Sequence, residues 1–128
     1  MPNRWAYPPS NILEKVNAAA PGAYQRLWET LQAASQFPGA ELTSWWRDPS
    51  RNRSVGGALY SQHLLGLALD LYAPNLEELA HHLRQRVPGV RVQVEQKPPH
   101  VHVQALPTIT PAARGMFSAL FPAYYPPR

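Results

Sequence analysis

His63 and Asp70 stand seven residues apart in the stretch SQHLLGLALD, separated by little but leucine, alanine and glycine. Polar groups flanking so apolar a run need partners, because a buried imidazole or carboxylate left unpaired costs about 1–3 kcal/mol or more. Either a structural hydrogen bond or a metal ion meets that need. Further along, HVHV puts His100 and His102 on one face of a strand, about 7 Å apart by the strand rise, while Val101 and Val103 face the other way. His63, Asp70 and His102 together offer two imidazoles and a carboxylate, the number of protein ligands a catalytic zinc uses when it keeps one position for water. A hydrolytic metal site is the physical reading, with satisfied core or surface histidines as the alternative.

The chain has no cysteine. That removes thiolate zinc sites, cysteine nucleophiles and disulfide frameworks together, and leaves His, Asp and Glu as the available metal ligands. At 128 residues it fits one domain, residues 1–128, that buries roughly two thirds of its unfolded surface and needs no metal merely to fold. A formal charge of +4 favours anionic partners, nucleic acid or an anionic cell wall, without choosing between them. A nucleic-acid function is disfavoured because no helix concentrates arginine and lysine on one face. MPNRWAYPPS has no apolar core of the signal-peptide kind, and no later run approaches a membrane span. The expectation is a monomer made in the cytoplasm, with no transmembrane segment and no signal peptide.

The elements that must position these residues follow from periodicity. SNILEKVNAAA, with Ser10 as its expected cap, places Ile12, Leu13, Val16 and Ala20 on one helical face. PGAYQRLWETLQAASQFPG does the same with Tyr24, Leu27, Trp28, Leu31 and Ala34. AELTSWWR reads as a strand, and DPSRNRSVGGALYS as a long, functional loop. In GLALDLYAP, Leu67, Leu69 and Leu71 alternate with Ala68, Asp70 and Tyr72, which turns Asp70 away from the leucine side of a strand. NLEELAHHLRQRVPG is an amphipathic helix capped by Asn75, with His81 and His82 off its apolar face and read as solvated. VRVQVEQ and HVHVQAL are two strands joined at Lys97, Pro98 and Pro99, and TPAARGMFSALF is a closing helix capped by Thr110. Helices first and mostly antiparallel strands afterwards predict an α+β fold.

SWWRDPSRNRSVGGALYSQHLLGLALD, followed after about thirty residues by HVH, resembles the zinc D-Ala-D-Ala peptidases, a family of D,D-carboxypeptidases and phage endolysins that cut peptidoglycan peptides. The matching positions are Ser44, Arg47, Asn52, Gly56, Gly57, Ser61, His63, Gly66, Ala68, Asp70, His100 and His102. The resemblance implies that His63, Asp70 and His102 bind Zn2+, that His100 faces the reacting carbonyl, and that Arg47 contacts the substrate. It also implies the α+β fold shared with the hedgehog signalling domain. Ser61 is a second candidate substrate contact, with a hydrogen bond to the loop or to a ligand as its other reading.

The chain departs from the family pattern at several positions. Trp45 and Trp46 stand where many members have a glycine and an aromatic, and are expected to reshape the cleft. Lys97 stands where some carry a further histidine, and Pro99 where relatives have a glutamate ready to act as base. The base is thus left to His100, with Glu95 as the weaker candidate. The implied function is metal-assisted hydrolysis of D-Ala-containing stem peptides or cross-links in the cell wall. The alternative is a zinc-bearing wall-binding or structural module without catalysis.

Overall fold

Apolar periodicity builds the helical side of the molecule as expected. The computed structural model describes residues 5–126, and its first two helices are α1 (Ser10–Ala19) and α2 (Ala23–Ser35). Ile12, Val16, Tyr24, Leu27 and Ala34 from their inner faces are buried, whereas Trp28 stays 44% exposed. Ser10 is not the cap of α1. Pro9 takes that position in an extended conformation, its carbonyl accepting from Leu13 N at 3.0 Å, and no side chain caps the helix.

Strand β1 (Glu41–Ser44) is shorter than its sequence suggests, since Trp46 leaves the sheet to bridge to Ala6. The expected loop after it contains a helix, α3 (Pro49–Ser54), started by Asp48, whose side chain accepts from Arg51 N at 2.7 Å, and by Pro49 at the first position. These are the ordinary start signals of a helix, masked in the sequence by the asparagine and glycines around them. A 3₁₀ turn (Gln62–Leu65) ends at Gly66 with φ 67°, a left-handed conformation that glycine adopts freely. A Cβ on Gly66 would also lie 2.4 Å from the Pro8 ring.

Strand β2 (Ala68–Tyr72), helix α4 (Leu76–Arg86), strands β3 (Arg91–Gln96) and β4 (Pro99–Gln104), and helix α5 (Pro111–Leu120) complete the chain. Asn75 and Thr110 cap α4 and α5 as expected, each accepting from a backbone N–H. The four strands form one antiparallel sheet in the order β1-β2-β4-β3. Leu69, Leu71, Val101 and Val103 are buried on one face against the helices. The same alternation puts Asp70, His100, His102 and Gln104 on the other, with Asp70 directly across from His102 and Glu95 across from His100. His82 corrects another expectation. It is not solvated, because its Nε2 contacts Ala33 O at 2.7 Å and its ring meets Phe37 edge-on, joining α4 to α2. His81 is exposed. Past α5, Tyr125 folds back onto Tyr60 and Phe117, with its hydroxyl donating to Leu59 O. Among the described residues no helix is long and apolar enough to cross a membrane.

Candidate metal centre

The open face of the sheet forms the floor of a cleft of about 1330 Å³, walled by the segment from Arg47 to His63 on one side and the β3–β4 turn on the other. Asp70 is 6% exposed and organises this floor. Its Oδ1 lies 3.0 Å from His63 Nε2, 3.1 Å from His102 Nδ1 and 3.5 Å from His100 Nε2. Its Oδ2 accepts from Arg47 Nη2 at 2.8 Å.

What decides the chemistry of this cluster is the far side of each ring. His63 Nδ1 lies 2.5 Å from the backbone carbonyl of Trp45, an acceptor, so the ring donates there and Nε2 carries the lone pair. His102 Nε2 faces Gln104 Oε1 at 3.0 Å. The Gln104 amide is oriented by its own nitrogen, which donates to the Leu106 and Pro107 carbonyls at 3.2 Å each. Neutral His102 therefore donates from Nε2 and keeps its lone pair on Nδ1. Both lone pairs aim at an oxygen of the same carboxylate. Three acceptors so arranged are satisfied only by a positive centre among them, a proton or a cation.

Protonation meets this demand unevenly. Burial pushes the His63 imidazole down from its ordinary value, and the neighbouring carboxylate of Asp70 does not fully offset it. Burial also opposes a charge on His102, but its contacts with Asp70 and Gln104 prevail and raise its pKa. For Asp70, burial is overcome by the close approach of His102 and His63, which, wherever a proton sits between ring and carboxylate, hold the carboxyl far below the ordinary carboxylate range. Two imidazole nitrogens and one ionised carboxylate, each within 4.8 Å of the others, are the donor set of a catalytic zinc. The acceptors behind the rings are the outer partners that fix ligand tautomers in metal sites. The residues fit such an ion.

The remaining expected residues sit around this core. His100 lies beside the three donors, its Nδ1 2.6 Å from Pro98 O and its Nε2 3.0 Å from Glu95 Oε1. Glu95, His100 and His102 form a second group with metal-ligating atoms close together. Ser61 lines the cleft wall and also starts the 3₁₀ turn, its hydroxyl accepting from His63 N at 3.2 Å. Arg47 lines the cleft with its guanidinium on Asp70, and its Nη1 is 3.4 Å from Asn52 Oδ1. Trp45 does not shape the cleft. It is 2% exposed, donates from Nε1 to Gly66 O at 2.9 Å and packs against Trp5, Tyr7 and Trp28. Trp46 does line the cleft, anchored through Nε1 to Leu64 O at 3.0 Å.

Sequence reasoning missed three contributors. Gln104 is the next position after His102 on the same strand face, so the alternation that picked out the histidines extends to it. Gln62 clasps the backbone of Leu106, its Nε2 donating to the carbonyl at 2.5 Å and its Oε1 accepting from the N–H at 3.1 Å. This ties the His63 turn to the end of β4. The Trp45 carbonyl is a backbone group and has no signature in the sequence.

A family model described as peptidase M15 matches residues 10–104, well over half of the chain and every donor named above. The chain belongs to the peptidase M15 family. No curated protein and no solved structure gives a significant match. The match begins at α1, so it takes in the N-terminal helices that the motif alone did not reach. By family this M15 peptidase is a metallopeptidase, and the donor set of His63, Asp70 and His102 is where its metal fits.

Proposed function

We propose that this M15 peptidase is a zinc hydrolase of peptidoglycan stem peptides, cutting amide bonds that contain D-alanine, with cleavage of cross-links favoured over release of terminal D-alanine. The observation that carries the reading is the convergence of two tautomer-fixed imidazoles and Asp70 on the floor of a peptide-sized cleft. His63, Asp70 and His102 would hold the ion, which when bound would supply a Lewis acid to acidify water and polarise the scissile carbonyl.

The other steps belong to the chain's own side chains. His100 has each ring nitrogen beside an oxygen, Pro98 O at 2.6 Å and Glu95 Oε1 at 3.0 Å. The Pro98 contact fixes the ring's orientation, and the Glu95 contact gives a proton two adjacent resting places. The Glu95–His100 pair takes the proton released as water attacks and returns it to the leaving amine. With the proton on His100, the imidazolium stabilises the oxyanion from beside the donor cluster on the sheet face. The basic chain as a whole favours an anionic wall polymer over a neutral peptide.

Mass analysis of purified peptidoglycan after digestion, with and without chelator, tests this. The expected result is loss of cross-linked dimers that chelation abolishes and zinc restores. Release of free D-alanine with dimers intact would make the protein a carboxypeptidase. Metal binding with no new product would leave the wall-binding module.

A further inference from the structure

Among the described residues the cleft holds two arginines in different circumstances. Arg47 is already committed. Its side chain is 16% exposed, its guanidinium bonds Asp70 and touches Asn52, and its backbone N–H donates to His63 O at 3.1 Å. Asn52 is itself 4% exposed and fixed through its Nδ2 to Ala58 O at 2.9 Å. A substrate carboxylate gripping Arg47 through both terminal nitrogens would compete with Asp70 Oδ2 and Asn52 Oδ1 for the same guanidinium.

Arg51 lines the same cleft from the first turn of α3, four residues further on. It is exposed, and its guanidinium makes no hydrogen bond, ion pair or ring contact with a described residue; its backbone alone is engaged, the N–H donating to the Asp48 cap and the carbonyl accepting from Val55 N and Ser54 Oγ. It lies close enough to Arg47 for its charge to bear on that group. Lys97, at the β3–β4 turn, is the other cation among the described lining residues with no side-chain partner among them. A planar guanidinium binds a carboxylate through two parallel charge-assisted hydrogen bonds, which an ammonium cannot copy.

We infer that Arg51 is the residue of this cleft that anchors a substrate carboxylate, and that Arg47 is a positioning residue for Asp70. The inference rests on the peptide-hydrolase reading above and refines its substrate to a peptide presenting a free carboxylate on the α3 side of the cleft. Arg51 is an exposed helical position, so its replacement leaves the donor set and the fold intact.

The test uses the full zinc-loaded chain and two probes, N-acetyl-D-alanyl-D-alanine and the same peptide as its C-terminal amide, with binding read by calorimetry and turnover by amine release. The wild type is expected to bind the acid about ten-fold or more tightly than the amide, as the loss of hydrogen bonds to a charged group implies. Arg51→Gln should abolish that preference, chiefly through affinity or KM, with zinc content unchanged. Lys97→Gln should preserve it. Equal binding of acid and amide by the wild type, or a preference that survives Arg51→Gln and vanishes in Lys97→Gln, would overturn the assignment. Binding and turnover separate the two readings. An Arg51-dependent preference without cleavage of any wall peptide would sustain the anchor while removing the hydrolase, and cleavage indifferent to Arg51→Gln would do the reverse.

Discussion

Arg47 and His63 hold opposite oxygens of one carboxylate: Arg47 Nη2 is 2.8 Å from Asp70 Oδ2, and His63 Nε2 is 3.0 Å from Asp70 Oδ1. The guanidinium thus keeps one oxygen out of the donor cluster and turns the other into it. Arg47→Gln should lower zinc affinity by about 10–100-fold, the usual effect of losing an outer partner of a metal ligand. Competition against a chromogenic chelator measures this, and an unchanged affinity would mean that the strand alone orients Asp70.

The two histidines of HVH should separate cleanly. His102→Ala is expected to empty the centre, whereas His100→Ala should keep most of the metal and lose on the order of 10²-fold in turnover, as for a missing proton carrier or oxyanion donor. Metal analysis and kinetics on both variants decide the matter. A metal-free His100→Ala beside a loaded His102→Ala would reverse the assignment.

Gly57 supports the site by having no side chain. A Cβ there would lie 2.0 Å from Asn52 Oδ1, the oxygen that braces Arg47, while the Gly57 N–H donates to Asn52 O at 2.8 Å. Gly57→Ala must displace Asn52, and is expected to cost about 1–3 kcal/mol, as other overpacking substitutions do. Urea denaturation reads the loss; wild-type stability would show that the loop yields without cost.

Alkaline pH should destabilise the protein through Tyr24. Its hydroxyl donates to Leu65 O at 2.8 Å, and burial, with a smaller contribution from Tyr7, raises its pKa above the ordinary 10.0. Below that value the phenol is protonated in both states and the folded chain has its full stability. Above it the unfolded chain ionises first, so stability falls with rising pH by up to about 1.4 kcal/mol per unit until the folded group ionises as well. Tyr24→Phe should lose about 1 kcal/mol at neutral pH and show a shallower alkaline decline. Urea midpoints for both proteins at about pH 8 and 11 test the difference, and parallel declines would assign the effect elsewhere.

Much of the centre was legible because strand alternation is a strict rule. HVHVQ must put both histidines on one face, and the leucines of LALDL must turn Asp70 away from their own. Alternation cannot say which carboxylate oxygen meets which ring, nor that Arg47 faces Asp70, since these depend on how α3 and the 3₁₀ turn pack over the sheet. Trp45 was misjudged for the same reason. Read next to Arg47 it belongs to the cleft, but the chain leaves β1 there and turns its indole into the aromatic cluster with Trp5, Tyr7 and Trp28. Helix α3 was hidden by composition. Asp48-Pro49 is a helix start, yet Asn52, Gly56 and Gly57 nearby weighed toward a loop.

The position of β4 in the sheet sets an order of assembly. It is the last strand in the chain yet lies between β2 and β3, and synthesis proceeds from the N-terminus. A nascent chain therefore presents His63 and Asp70 while the strand that carries His100 and His102 is still unmade, with β2 and β3 unpaired along the edges that β4 will fill. Insertion of β4 joins those edges, brings Gln104 behind His102 and supplies the third donor in one event. The complete centre comes into being only as the sheet closes, so a ribosome-bound fragment ending before β4 has neither the full donor set nor the Glu95–His100 pair.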